Sequence, residues 1–403
     1  MFRRGLPYLP AARMTGRMIP AATFSAEVAG NRLTLLADGQ ERLDALIELI
    51  ESAKRSLRIL YYIFLEDETG RRVRDALIAA ARRGVQVSLL VDGFGSTRSM
   101  AFFQPLTEAG IGFCRFSPKY GRRYLLRNHQ KLALADDRRV LIGGFNVADE
   151  YFAPPSADGW RDIGLLVEGD GVRPLEAYFD DLFEWTQAPD RRIRELRRML
   201  QHHSVTEGRL RWLFGGPTRR LSPWARAVRR DMLAAKRLDL IAAYFGPTPS
   251  ILRRIAKVAR REGGRARLIT AARSEVPAAV AAARSLYWYL LKRGVEVYEH
   301  RKSRLHTKLV VIDDVVHIGS ANFDMRSLFL NLEMMLRIED ADFAAAMRGF
   351  MEGEIAASER ITLESHNKER TLLNRLRWGF GYFLLAVADY GITRRLNVTG
   401  GDS

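Results

Sequence analysis

The chain has 403 residues, 47% hydrophobic and 28% charged, enough apolar side chain for one large core or two ordinary ones and too much for wholesale disorder. Its 64 Lys and Arg against 47 Asp and Glu leave a formal charge of +17, which calls for an anionic partner: nucleic acid, an anionic membrane surface or a phosphorylated substrate. A single cysteine, Cys114, excludes an intramolecular disulfide and a cysteine-based zinc site, and no stretch reaches the roughly 18 to 20 consecutive apolar residues of a spanning helix.

Residues 1–30 read as a basic extension, with Arg3, Arg4, Arg13 and Arg17 and no acid before Glu27. They lack the continuous apolar run of a secretory signal and fit an interfacial arm, a transit peptide or a disordered arm. Leu43, Leu46, Ile47 and Ile50 then follow helical spacing, and 56–64 reads as a strand. A helix over 73–83, closed by Gly84, precedes a buried strand over 85–91. Cys114 falls in the strand-like run 111–116 as a small core residue. The same order returns later: a helix near 225–235, a strand over 238–245, a helix over 250–261 and a strand over 265–270. Helix alternating with strand implies α/β layers, and the repeated order implies duplication. The expected similar domains are 31–205 and 206–360, with Arg-rich residues 186–224 as the linker region and 361–403 as a C-terminal segment.

Each half carries the same constellation. His129-Gln-Lys131, Asp136 and Gly143-Gly144-Phe-Asn146 answer to His306-Thr-Lys308, Asp313 and Gly319-Ser320-Ala-Asn322. His-x-Lys opens an apolar run in both copies, so period-two geometry places imidazole and ammonium on one face of a strand. The chain then turns back to a pair of small residues and an Asn, where backbone N–H groups approach a ligand closely. Lysine donors, an Asn amide, Ser320 and the open backbone at Gly144 suit the oxygens of a phosphodiester. Two facing half-sites would surround one phosphorus with two His, two Lys and two Asn. The remaining histidines, His202, His203, His300, His317 and His366, read as structural. No metal is expected, since a lysine two residues from each motif His repels a cation. No P-loop occurs, and Asp92-Gly93-Phe94-Gly95-Ser96 reads equally as a phosphate-approaching loop or a plain turn after a strand.

These residues resemble the phospholipase D superfamily, over most of 32–360. Gly143-Gly-Phe-Asn146, Trp160-Arg161-Asp162 and Arg326-Ser327 through Glu333 are similar to bacterial cardiolipin synthases of the short B type, which lack N-terminal membrane helices. The resemblance implies a duplicated α/β/α sandwich with one active site at a pseudo-twofold interface. It also implies a covalent phosphohistidine, with His129 as nucleophile, His306 as general acid and base, and Asp162 and Glu333 as the carboxylates that orient the imidazoles. Lys131, Lys308, Asp136 and Asp313 complete the catalytic signature, although the two Asp, each ahead of a turn, suit a hairpin brace better than a reacting group. The turn after Asp313 is one residue shorter than that after Asp136, and Gly144 stands where the other copy has Ser320.

Residues 371–388 combine Arg375 and Arg377 with an aromatic-rich apolar run, too short to span a bilayer but long enough to lie in its interface; a buried C-terminal helix is the equal alternative. The resemblance implies transfer of a phosphatidyl group between two phosphatidylglycerol molecules without a cofactor, by a peripheral protein on an anionic membrane surface, at the cytoplasmic face of a bacterial inner membrane. Its rivals are hydrolysis or transfer to another alcohol at the same site and, further off, cleavage of nucleic acid, which the spread of basic residues disfavours.

Overall fold

The computed structural model describes residues 23–117, 126–189, 192–218 and 220–388. Two eight-stranded sheets dominate it. The first is built from β1 (Phe24–Val28), β2 (Asn31–Leu36), β3 (Ser56–Tyr61), β4 (Gln86–Asp92), β5 (Gly112–Phe116), β6 (Leu132–Ala135), β7 (Arg139–Gly143) and β8 (Gly164–Glu168). Its spatial order is β1-β2-β8-β7-β6-β3-β4-β5. The second half supplies β9 (Leu210–Gly215), β10 (Arg237–Ala242), β11 (Phe245–Gly246), β12 (Arg265–Ala271), β13 (Glu296–His300), β14 (Lys308–Ile312), β15 (Val315–Gly319), β16 (Phe323–Asp324), β17 (Glu333–Glu339) and β18 (Ser358–Ile361). Read in the same direction, the second sheet runs β9-β17-β15-β14-β10-β12-β13-β18.

Seven strands of each sheet therefore correspond, β2 with β9 through β5 with β13, while β1 and β18 extend opposite edges. Pairing repeats as well. The β3–β4 and β4–β5 contacts are parallel, as are β10–β12 and β12–β13, and the hairpins β6–β7 and β14–β15 are antiparallel. The duplication expected from the sequence is thus present in the topology.

Local chemistry explains where the elements begin. Asp38 caps the helix Gly39–Ser52 by accepting from Gln40 N and Glu41 N, and Thr248 caps Pro249–Ala259 by accepting from Ile251 N. Gly84, at φ +91°, takes the left-handed turn after Glu68–Arg82 that its sequence position predicts. β6 and β14 are buried along their whole length, as strands covered on both faces should be. Cys114 is buried in β5.

Two boundaries differ from the expected ones. Phe24–Val28, inside the expected basic extension, is an edge strand paired with β2, because Ala26 and Val28 pack on the core; residues 1–22 lie outside the described structure. The 186–224 stretch holds the helix Ile193–His202 and β9, whose Leu196, Leu200, Trp212 and Phe214 are core residues that the surrounding arginines obscure. The largest core cluster is shared: Leu60, Leu132, Leu134 and Ile142 of the first half join Leu309, Val311, Ile318 and Leu336 of the second. Separating the halves would expose this surface, so they act as one folding unit.

Candidate active site

The halves meet through two short parallel bridges, Asn128 with Leu332 and Arg161 with Leu305. They are equivalent under the pseudo-twofold, and each places a motif histidine beside an acid from the other half. His129 N–H donates to the Leu332 carbonyl at 2.9 Å, and the next residue, Glu333, sets Oε2 3.1 Å from His129 Nδ1. His306 N–H donates to the Arg161 carbonyl at 2.8 Å, and Asp162 sets Oδ2 2.7 Å from His306 Nδ1. The sequence nominated both carboxylates without pairing them to a histidine. The pairing is crossed, so neither half holds a complete site. With Nδ1 held by a carboxylate, the proton-free or proton-bearing work of each ring falls to Nε2.

Lys131 and Lys308 are almost fully buried. Lys131 Nζ donates to its own motif's His129 carbonyl at 2.5 Å, and Lys308 Nζ donates to the His306 carbonyl. Burial pushes Lys131 down to about 7, against the attraction of Glu333 and with the repulsion of Lys308. Burial likewise takes Lys308 down to about 8, with Asp162 opposing. Glu333 and Asp162 resist burial: His129 and Lys131 for the first, and Lys308 and His306 for the second, hold both below the usual carboxylate range. His306 is lowered to about 4 by burial and by Lys308, and His129 is lowered by burial while Glu333 counters. Burial thus weakens the positive charge of every basic group here while both acids keep their negative charge, and a phosphodiester anion would draw protons back onto the lysines and imidazoles.

Asn146 and Asn322 differ in what they leave open. Asn146 Oδ1 accepts from Ile63 N at 3.1 Å and its buried Nδ2, a donor of the expected kind, has no partner; in Asn322 the unpartnered buried atom is Oδ1, an acceptor, so the donor expected there is not the open group. Buried polar atoms are rarely left so. Ser320 departs from expectation. Its hydroxyl donates to Glu333 Oε2 at 2.5 Å and accepts from Met334 N at 3.0 Å, so it braces the carboxylate rather than a phosphate. Ser327 Oγ donates to Glu333 Oε1 at 2.7 Å, a role the sequence did not suggest. Gly144 is set by space: a Cβ there would lie 2.7 Å from both Asp162 carboxylate oxygens and 3.0 Å from Lys308 Cδ. The inequality of the two copies follows carboxylate length. Asp162 is short, braced at Oδ1 by Ile163 N at 2.8 Å, and leaves no room at 144; Glu333 is one methylene longer and takes a serine instead.

Asp136 and Asp313 do not belong with the reacting groups. Both sit past the far ends of β6 and β14, at φ +54° and +44°. Asp136 accepts from Lys54 N, Arg55 N and Ser56 N, and Asp313 from Lys236 N and Arg237 N, pinning the start of β3 and β10. Counting them as catalytic is corrected: at about 3.3 Å per residue, four strand residues separate Asp136 from Lys131. Asp136→Ala should therefore lower stability by about 1–3 kcal/mol, from the orphaned N–H groups, and leave turnover per folded molecule unchanged. Chemical denaturation beside active-site titration checks this.

Side walls are aromatic. The Tyr62 ring centre lies 4.9 Å from that of His129 and 5.2 Å from Lys131 Nζ, and Tyr151 and Trp160 each lie 5.2 Å from His306. Arg42, buried, donates to the Asp162 carbonyl at 2.5 Å and the Tyr151 carbonyl at 2.7 Å, fixing the loop that presents Asp162. The Asp92 turn proves to be scaffold: Asp92 accepts from Phe94 N at 2.8 Å and from Asn128 N at 2.8 Å, steadying the residue before His129. Of the other histidines, His203 and His317 bond to Asp181 and Asp231, and His300 to Ser303.

The family model described as "Cardiolipin synthase, PLD-like domain" matches residues 46–184 and 231–354. Cardiolipin synthase B of Salmonella typhimurium is 34% identical over 363 residues, covering 86% of this chain and 85% of that protein. Cardiolipin synthase of Geobacillus thermodenitrificans is 32% identical over 314 residues, 75% of this chain and 62% of its own length. Among solved structures, phosphatidylserine synthase of Haemophilus influenzae superposes with a TM-score of 0.72 at 15% identity, over 92% of this chain and 96% of that one, a likeness of fold. The chain belongs to the cardiolipin synthase family of phospholipase D-like phosphatidyltransferases.

Proposed function

We propose that the protein moves a phosphatidyl group from one phosphatidylglycerol to the terminal hydroxyl of another, releasing glycerol, through a phosphohistidine on His129. The observation that carries this is the crossed pairing: two imidazoles, each tied at Nδ1 to a carboxylate of the opposite half, with two buried lysines between them. His129 Nε2 attacks phosphorus while His306 gives its Nε2 proton to the departing glycerol oxygen; an N–P bond forms and a P–O bond breaks. The second phosphatidylglycerol then loses its hydroxyl proton to His306, its oxygen attacks phosphorus, and the N–P bond breaks. Bond type is conserved, so no nucleotide enters. The assignment of nucleophile and acid follows the family resemblance. A bound phosphate anion would favour the protonated form of His306, against the burial and the Lys308 charge that lower it to about 4.

Such a reaction needs a lipid surface. No helix among the described residues is long and apolar enough to cross a membrane. The helix Leu372–Tyr382 with its continuation Phe383–Ala388 instead exposes Leu372, Leu373, Leu376, Phe380, Phe383 and Leu384, each 39–75% accessible. Their three- and four-residue spacing makes one apolar face. The opposite face docks on the helix Pro277–Leu291: Trp378 is buried, and a Cβ on Gly381 would meet Ala281 Cβ at 2.6 Å. The buried and interfacial readings of this segment thus describe its two faces. Leu385 approaches Gly246, whose strand pairs with Phe323–Asp324 directly after Asn322, so the apolar face ends beside the site. This arrangement, with the +17 charge, supports peripheral binding to an anionic leaflet, with the cytoplasmic face of the inner membrane as its place.

The test is product analysis in phosphatidylglycerol vesicles without nucleotide or metal. Cardiolipin with equimolar glycerol supports the reading; phosphatidic acid alone makes the enzyme a hydrolase, and no lipid turnover removes it. The lysines add a pH signature. Each clamps phosphate only when protonated, a state present below its pKa and lost above it. The alkaline limb of kcat/KM should therefore fall between about pH 7 and 8, far below the ordinary 10.5 of lysine. Lys131→Arg, permanently charged, should remove the lower of the two titrations and move that limb upward in a kcat/KM profile on a monomeric short-chain substrate.

A further inference from the structure

A second anionic site lies away from the catalytic centre. Between the helices Pro249–Ala259 and Pro277–Leu291 a cleft of about 370 Å³ is lined by Arg253, Ala256, Lys257, Arg260, Arg261, Tyr289 and Arg293, with no acid in its wall. Elsewhere in this half Arg267 pairs with Asp239, Arg284 with Glu299 and Arg337 with Asp231. The cleft cations bond only to backbone or aromatic groups where they are held at all. Arg261 donates to the Met232, Leu233 and Ala235 carbonyls, Arg253 Nε to the Pro249 carbonyl, and the Arg293 guanidinium lies 3.7 Å from the Tyr289 ring centre. Five cations held together without a carboxylate repel one another, an arrangement that a polyanionic or phosphate ligand relieves.

Its position identifies the ligand. Trp288 faces the start of the apolar C-terminal helix, where the Arg370 guanidinium lies 4.9 Å from its ring. Tyr289 is one residue further round the same helix, about 100° away, and lines the cleft with Arg293, which follows the helix end. The cleft therefore borders the exposed apolar face on one shared helix. We propose that it binds the phosphate headgroup of an anionic phospholipid that is not a substrate, anchoring the second half while the apolar face enters the acyl layer. This rests on the proposed membrane docking but not on the proposed chemistry.

The experiment uses the full chain with His129→Ala, so that turnover does not intervene, and measures co-sedimentation with phosphatidylglycerol–phosphatidylcholine vesicles. Replacing Arg253, Lys257 and Arg260 together by Ala, in exposed helix where Ala is well tolerated, should weaken binding about 100-fold, from about 5-fold per cation. A thermal melt verifies folding. Replacing Arg71, Arg72 and Arg82 of the first half should cost no more than a few-fold. Equal losses for the two triple variants would mean diffuse charge and overturn the proposal. Release from vesicles by millimolar inorganic phosphate at constant ionic strength would also overturn it, making the cleft a site for soluble phosphate.

Discussion

His129→Ala and His306→Ala should each lower transfer from phosphatidylglycerol by about 10^4-fold or more, and the double variant should be no worse than either, because the two rings act as one unit. Their difference emerges with a donor whose leaving group needs no proton, such as a phosphatidyl ester of nitrophenol. With His129 as nucleophile, His306→Ala should still release one nitrophenolate per chain in a burst and then stall. The acyl-enzyme analogue, a phosphatidyl group on His129, would accumulate because nothing removes the proton from the incoming hydroxyl. His129→Ala should give no burst. Rapid-quench kinetics and intact mass spectrometry at mildly alkaline pH, where an N–P bond survives, read both outcomes. A burst in His129→Ala instead would exchange the roles of the two histidines, an outcome the near-symmetry of the site makes worth measuring.

The duplicated α/β fold was legible because each half repeats helix and strand periods with a motif at the same place in the order. The groups that meet at the interface of the halves were legible because His129, Lys131 and Asn146 sit close together in sequence, as do their counterparts in the second half. What the sequence could not convey was the partnership across the interface. Asp162 and Glu333 follow their own motifs, so sequence proximity suggests help within a half; only the bridges Asn128–Leu332 and Arg161–Leu305 cross them over. The same limit explains Ser320. A hydroxyl beside an Asn in a small-residue turn fits phosphate binding, and its commitment to Glu333 depends on a strand reached through the sheet. Asp136 was ambiguous for another reason: a spacing repeated in both motif copies does not say what a residue does, and here three backbone N–H groups at the entry to β3 are the answer. The edge strand β1 and the strand β9 were hidden by composition, since the arginines flanking β9 mask the core residues Trp212 and Phe214.

Glu333→Gln should reduce kcat/KM by about 10^3- to 10^4-fold while leaving the chain folded, and the reason is that one carboxylate serves three groups. It fixes the tautomer of His129, accepts from Ser320 and Ser327, and is the strongest attraction holding the proton on Lys131. The amide keeps the volume but offers a single acceptor and no charge. His129 can then turn over or change tautomer, and the pKa of Lys131 falls below its present value of about 7, so the alkaline limb of kcat/KM should move to lower pH. That shift separates a positioning role from mere packing, which would change the rate at all pH values alike. A second variant uses the protein's own asymmetry. Glu333→Asp alone withdraws the carboxylate by one methylene and should lose most activity, but combined with Ser320→Gly it recreates the Gly144–Asp162 arrangement that serves His306 in the other half. The double variant should be at least about tenfold more active than Glu333→Asp, a positive coupling of about 1.4 kcal/mol or more in a double-mutant cycle. Additive losses would mean that the two half-sites, though related by duplication, hold their carboxylates by backbones too different to exchange.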